Sequence, residues 1–211
     1  MEYVALAVIS YLLGSIPTGL IVGKVAKGID VRGYGSGKIG ATNILRTLGP
    51  GAFVTVFAVD FAKGFLAVLL AGYLIGNMWA QAVAGLAALV GHNWSVFLGF
   101  SGGRGIAVGI GGLYRVSPLV AVPLTVVTIV VILVSRYVSL GNIIGGILAI
   151  PIMLLVVLLG LARPEYLFYV APGAAIVLYQ HRDNIVRLLS GTERKLGESA
   201  LPYDSSERNP A

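Results

Sequence analysis

The chain has 211 residues, of which 57% are hydrophobic and only 11% charged, with a mean hydropathy of +0.90. A soluble domain carries about 25% charged residues because its surface must meet water, so this composition excludes one. Cysteine is absent, which excludes disulfides, thiolate metal sites and a cysteinyl acyl-enzyme.

The first apolar span covers about residues 3–25, with Pro17 inside it. Its leading Met1-Glu2-Tyr3 is no basic leader and no small-residue cleavage site follows, so it is expected to be retained. A polar, glycine-rich loop follows at about 26–51, then spans at about 52–76 and 79–97. A second glycine-rich segment, 99–105, leads into an apolar stretch at 106–114 that is too short to cross a bilayer alone. Ser117-Pro118 interrupts it, and further spans are expected at about 119–134, 138–161 and 166–180. The expected fold is therefore all-α, a polytopic transmembrane bundle of about seven segments, one of them short. Residues 1–197 are expected to form a single membrane domain, and 198–211 a disordered polar tail.

Charge placement bears on the short stretch. If 106–114 crosses, then Arg136, Arg182, Arg187, Arg194 and Lys195 share a face with Lys24, Lys27, Arg32, Lys38, Arg46 and Arg104. Six full spans would divide them between two faces. The positive-inside rule favours seven, with the amino terminus outside and the basic loops in the cytoplasm.

Three polar clusters fall on that face. The first loop holds Ser36, Lys38, Asn43 and Arg46 among Gly35, Gly37 and Gly40. The glycines fit a GxGxxG spacing, but no strand precedes them, which removes the dinucleotide reading. Glycine-rich backbone can still turn N–H groups toward an anion, with cations beside it. The second cluster holds His92, then Arg104 among Gly102, Gly103 and Gly105. An ionisable group at membrane depth is costly and generally functional, although a lone histidine is sometimes a satisfied core residue. The third opens the last segment with His181, Arg182, Asp183 and Asn184, and His181 and Asn184 share a helix face. Asp60 and Lys63 also share a face, inside the second span, and read as an ion pair or as partners for other helices. The net charge of +6 favours anionic partners, lipid headgroups or a phosphorylated substrate. Nucleic acid fits poorly, because no separate basic domain exists. This inventory suits binding and transfer of a phosphate-bearing group; it lacks the clustered ligands that metal hydrolysis needs, and no metal is expected.

These residues resemble the bacterial membrane family of glycerol-3-phosphate acyltransferases that use acyl phosphate as donor. The resemblance runs from Tyr11-Leu12-Leu13-Gly14-Ser15-Ile16-Pro17 to His181-Arg182-Asp183-Asn184-Ile185. Its most specific parts are Gly35-Ser36-Gly37, Gly40-Ala41-Thr42-Asn43 with Arg46, Asp60 with Lys63-Gly64, Gly91-His92, and Phe100 with Gly102-Gly103 and Gly105. It implies a seven-helix bundle in the bacterial inner membrane. The implied reaction moves an acyl group from acyl phosphate to the 1-hydroxyl of glycerol 3-phosphate. It gives lysophosphatidic acid and phosphate, in phospholipid biosynthesis, without a cofactor or an obligate protein partner. Ser36, His92 and Arg104 are the candidate catalytic residues. Gly37, Gly40, Asn43, Arg46, Gly102, Gly103, Gly105, His181 and Asn184 are the candidate substrate ligands. Arg104 and Ser101 stand where the family carries lysines, and Ser95 where it carries proline.

Acyl phosphate carries a good leaving group, so no acyl-enzyme is needed; the hydroxyl must be placed and two phosphates neutralised. His92 or the glycerol phosphate itself is the candidate base. A histidine followed by four residues and aspartate, the signature of another lipid acyltransferase class, is absent: Phe97 and Val186 occupy the aspartate positions. The rival reading is a transporter, or a non-catalytic paralogue, binding a phosphorylated solute or lipid. A transporter should show repeat symmetry and a midplane site, and the basic loops instead gather on one face.

Overall fold

The computed structural model describes residues 1–198, 200 and 202, and among these the regular structure is all helical, joined by loops that carry two isolated bridges. The first crossing is broken in two, α1 (Glu2–Ser15) and α2 (Thr18–Lys27), because Pro17 has no N–H to continue the helical ladder. The first loop folds into a short amphipathic helix, α3 (Ala41–Leu48), before α4 (Pro50–Leu74) begins with proline in its first turn. There follow α5 (Met78–Asn93), α6 (Ile106–Val116), α7 (Pro118–Ser135), α8 (Val138–Leu158), α9 (Leu167–Gln180) and α10 (Arg182–Leu189).

The first crossing (Glu2–Lys27), α4, α7 and α8 are long and apolar enough to span a membrane. Three other passes are short: α5 has 16 residues, α9 has 14 and α6 has 11. One short segment was expected, and the difference has a structural reason. A helix of 11 residues is only about 16 Å long, against about 30 Å of hydrocarbon. The loop at its start is therefore drawn into the bundle, where it meets the polar ends of α5 and α9.

Contacts at the two ends fix the path. At one end Asn77 donates to the Tyr3 hydroxyl at 2.7 Å, and Tyr166 reaches Gln81 at 3.2 Å. At the other, Arg46 binds the Arg194 carbonyl and Ser139 donates to Glu193 at 2.9 Å. The second set joins the first loop, the α7–α8 turn and the last segment, so α6 does change ends. Among the described cations, only Arg115 and Arg163 lie at the opposite end, with Lys63 midway along α4.

Glycines make the short helices packable. A Cβ on Gly14 or Gly91 would strike the backbone carbonyl of Ala88 or Tyr11, so α1 and α5 touch backbone to backbone. Gly64 and Gly111 do the same for α4 and α6, against Val108 and Phe61. The carboxy-terminal segment is also packed: Ala200 donates to the Arg46 carbonyl at 3.3 Å, and Pro202 pairs with Tyr34. The expected disorder of the tail otherwise concerns residues outside those described.

With no native cysteine, topology can be read by single substitutions and an impermeant thiol reagent on whole cells. Arg163→Cys is expected to label from outside, and Lys27→Cys and Ser190→Cys only after the membrane is opened. Ser139 is a poor reporter because it is buried against Glu193. External labelling of Ser190→Cys would remove α6 as a crossing.

Candidate functional site

The first loop is organised from within by Asn43. Its amide nitrogen lies 2.9–3.1 Å from the carbonyls of Val31, Tyr34 and Lys38, and its Oδ1 accepts from the Ser36 N–H at 3.0 Å. Gly35 takes a positive φ of 57° with Asn43 Oδ1 against it, a place no side chain could share. Asn43 thus positions Ser36. Gly37 differs from expectation, because its N–H is taken by the Tyr34 carbonyl at 3.1 Å and it does not reach the cavity. Asp30 caps the preceding turn, and its bonds to Arg32 hold its carboxyl down at about 2.

His92 sits in the last turn of α5. Its carbonyl accepts from the Gly103 N–H at 3.0 Å, and its ring Nε2 presses on Gly103, where a Cβ would collide. Gly102 lies against the His92 and Asn93 carbonyls in the same way. These two glycines were expected to cradle phosphate. Instead they bring the second loop down onto His92, and the Gly103 N–H is already spent. Gly105, with φ 81°, does line the cavity and starts α6. His92 Nδ1 is 3.9 Å from Asp60 Oδ1 and has no hydrogen-bond partner. Asp60 in turn accepts from Lys63 at 2.7 Å and from Thr18 at 2.9 Å.

The third cluster closes from the opposite side. His181 is buried, with Nδ1 2.8 Å from the Val177 carbonyl. Burial, with Arg104 nearby, pushes its imidazole down to about 4. It is therefore neutral, with the proton on Nδ1 and the Nε2 lone pair free to accept. Glu193, which sequence reasoning missed, is the hub here. It accepts from Ser139 at 2.9 Å, from Asn184 at 2.7 Å and from Arg187 at 2.8 Å. No spacing signals a glutamate in a polar tail. Ser139 did leave a trace, as a polar residue in the first turn of an apolar span at the basic end.

All three clusters face one cavity of about 410 Å³. Ser36, Gly40, Asn43, Arg46, His92, Arg104, Gly105, His181 and Asn184 line it, joined by Lys38, Asp60, Ser139 and Glu193. Among the described residues, seven buried side-chain polar atoms lack partners; Arg46 Nε, Arg104 Nε, His92 Nδ1 and Asn184 Oδ1 belong to residues of this cavity, while the Asn93 amide and Glu165 Oε2 do not. Buried polar atoms are nearly always satisfied, so this concentration marks a place where a ligand completes the bonding. Burial, followed by repulsion from Arg187 and against the pull of Glu193, brings Arg104 down to about 10. Burial also lowers Arg46. Both remain cations at neutral pH, and an anion between them would relieve the cost of their burial. Away from this pole the lining turns apolar, through Leu89, Ile106, Ile110, Leu124 and Val170. One cavity therefore offers a cationic head and an oily body.

A family profile described as "Glycerol-3-phosphate acyltransferase" matches residues 4–191. A glycerol-3-phosphate acyltransferase of Thermoanaerobacter sp. strain X514 is 44% identical over 198 residues, covering 94% of this chain and 98% of that protein. Glycerol-3-phosphate acyltransferase 2 of Moorella thermoacetica is 46% identical over 192 residues, covering 90% and 96%. The crystal structure of PlsY, an integral membrane glycerol 3-phosphate acyltransferase in its glycerol 3-phosphate form, is similar with TM-score 0.86. It is 40% identical and covers 93% of this chain and 96% of that one. Its lysophosphatidic acid form is similar with TM-score 0.84.

His181 yields a pH prediction. Its pKa falls from 6.5 when solvated to about 4 in the fold, so the native state prefers it neutral. Its contribution to stability is full above about 6.5 and is lost as pH falls toward 4. The melting temperature in detergent is expected to fall over that window, and His181→Gln to flatten the fall. An unchanged slope in the variant would place the acid sensitivity elsewhere.

Proposed function

The chain belongs to the glycerol-3-phosphate acyltransferase family, and from that premise we propose that it transfers a fatty acyl group from acyl phosphate to the 1-hydroxyl of glycerol 3-phosphate. The observation that carries this reading is the two-ended cavity, with unpartnered cationic donors at one pole and apolar helix walls beyond. The hydroxyl oxygen attacks the acyl carbonyl carbon, the bond from that carbon to the phosphate oxygen breaks, and inorganic phosphate leaves. The products are lysophosphatidic acid and phosphate. The hydroxyl proton passes to a base, and no covalent enzyme intermediate is required.

Arg46 and Arg104 hold the phosphates and offset charge on the departing one. Ser36, fixed by Asn43, orients the glycerol phosphate, and neutral His181 and Asn184 accept hydrogen bonds from its hydroxyls. His92 is the candidate base; Asp60, 3.9 Å from its Nδ1, would stabilise the imidazolium that forms. The chain works in the bacterial inner membrane with this pole in the cytoplasm, where glycerol 3-phosphate is dissolved, and the oily end within the bundle at membrane depth. The purified chain is expected to act without a protein partner or a cofactor.

Ser36→Ala, Arg46→Ala and His92→Ala are each expected to lower the rate by about two to four orders of magnitude. Melting temperature in detergent, measured alongside, separates this from unfolding. Near-parental turnover in His92→Ala would make His92 a packing residue and leave the substrate phosphate as base.

Donor choice rests on Arg104. Initial rates with acyl phosphate and with acyl-CoA are expected to favour acyl phosphate strongly in the parent. Arg104→Lys keeps the charge and much of the rate but loses two-point contact with phosphate, whereas Arg104→Ala loses most of it. Ser101→Lys changes turnover little, because Ser101 is exposed and bonded to the Leu98 carbonyl. Equal use of acyl-CoA by the parent would overturn the donor assignment.

A further inference from the structure

The apolar part of the cavity ends at a definite level. Along α9 the lining residues run from His181 through Val177 and Ala174 to Val170 and the adjoining Tyr169, a distance to Val170 of about 16 Å at the helical rise. At Val170 the space is met from three other helices as well, by Leu113 of α6, Leu124 of α7 and Ala149 of α8. Leu113, Leu124 and Val170 are 6%, 4% and 5% exposed, and Ala149 packs against the same core cluster. One step further along each of α7, α8 and α9 the bundle is solid: Val120, Met153 and Tyr166 belong to that core and do not line the cavity. Proline falls at the same level in three helices, Pro123 beside Leu124, Pro151 near Ala149 and Pro172 near Val170. Each removes a ladder hydrogen bond, the usual origin of a helix bend.

We propose that Leu113, Leu124, Ala149 and Val170 form the floor of the acyl compartment and set the longest acyl chain that the cavity takes in full. The inference rests on the acyl-transfer reading and adds a specificity determinant to it. Three members of the floor are large and one is small, so Ala149 governs depth. A chain that ends above the floor buries every methylene; a longer one must displace packed side chains, which are close-packed and resist it. Selection then acts on the far end of the donor, remote from the reacting carbonyl. It appears in kcat/KM as a difference between donors within one variant.

The test is a series of lauroyl, myristoyl, palmitoyl and stearoyl phosphate with the parent, Ala149→Leu and Leu124→Ala. Ala149→Leu raises the floor, and the ratio of palmitoyl to lauroyl kcat/KM is expected to fall about tenfold. Leu124→Ala deepens it, and the ratio of stearoyl to palmitoyl is expected to rise severalfold. Ratios within one variant do not depend on how much of it is folded, so a merely structural effect leaves them unchanged. Ala149→Leu decides alone if Leu124→Ala does not fold. A parent active on the series whose variants keep its ratios would overturn the floor and leave acyl transfer standing, the tail then leaving sideways into lipid. A parent inactive with every acyl phosphate would remove the acyl-transfer reading and the floor with it.

Discussion

The buried pair of Asp60 and Lys63 holds together everything that the site depends on. Pro17 breaks the first crossing and leaves the Ile16 carbonyl without a helical partner; Lys63 takes it at 2.6 Å. The same ammonium binds the Thr18 hydroxyl and, at 2.7 Å, Asp60 Oδ1. Asp60 also accepts from Thr18, and its carboxylate faces His92 Nδ1 at 3.9 Å. Two side chains of α4 thereby join the break in the first crossing to the end of α5. Each charge is only 2–4% exposed, so removing one partner would strand the other at a cost of about 3–5 kcal/mol. The pair also fixes the electrostatics under His92.

Close packing around this node is what makes a deep polar site affordable in a small bundle. Backbone contact of α1 with α5, and of α4 with α6, leaves no lipid between them. The short α6 then places Arg104 inside the protein instead of at the membrane surface. A full-length helix there would move the second loop outward, away from His181 and Glu193. Length, which disqualified residues 106–114 as an independent span, is the feature that builds the site.

Much of this was legible in the sequence, and the boundary between what was and was not is physical. Apolar runs gave the crossings to within a few residues, because lipid imposes one simple requirement on a helix. Residue type marked the three polar clusters, since serine, histidine and arginine beside apolar spans are expensive. Charge asymmetry then placed the clusters at one end. What single residues do with their backbones was not legible. Gly37 and Gly103 looked like free N–H donors, yet Gly37 donates within its own loop and Gly103 to the His92 carbonyl at the end of α5. Asn43 looked like a substrate ligand, and its side chain is occupied with holding Ser36. Glu193 was invisible because its partners lie on two other elements, Ser139 on α8 and Asn184 and Arg187 on α10, and only the folded chain brings Ser139 beside the last segment.

In the acyl-transfer reading proposed above, the placement of Glu193 bears on how the site would hold two anions and release one. A cavity lined by Arg46, Arg104 and Lys38, with Arg187 unpaired behind them, would bind phosphate tightly in every state and retain the product phosphate. Glu193 offsets part of that field. It binds Arg187 directly at 2.8 Å and favours the charged form of Arg104, yet its oxygens are already engaged by Ser139, Asn184 and Arg187. Arg46 Nε and Arg104 Nε meanwhile keep their bonding capacity open. The cations thus divide by their partners: Arg187 is neutralised within the fold, while Arg46 and Arg104 present unpaired donors to the cavity. Uniform attraction for phosphate would strengthen substrate and transition state alike and accelerate nothing. Donors held in place and left unbonded act most strongly where charge accumulates, on the phosphate oxygen as its bond to the acyl carbon breaks.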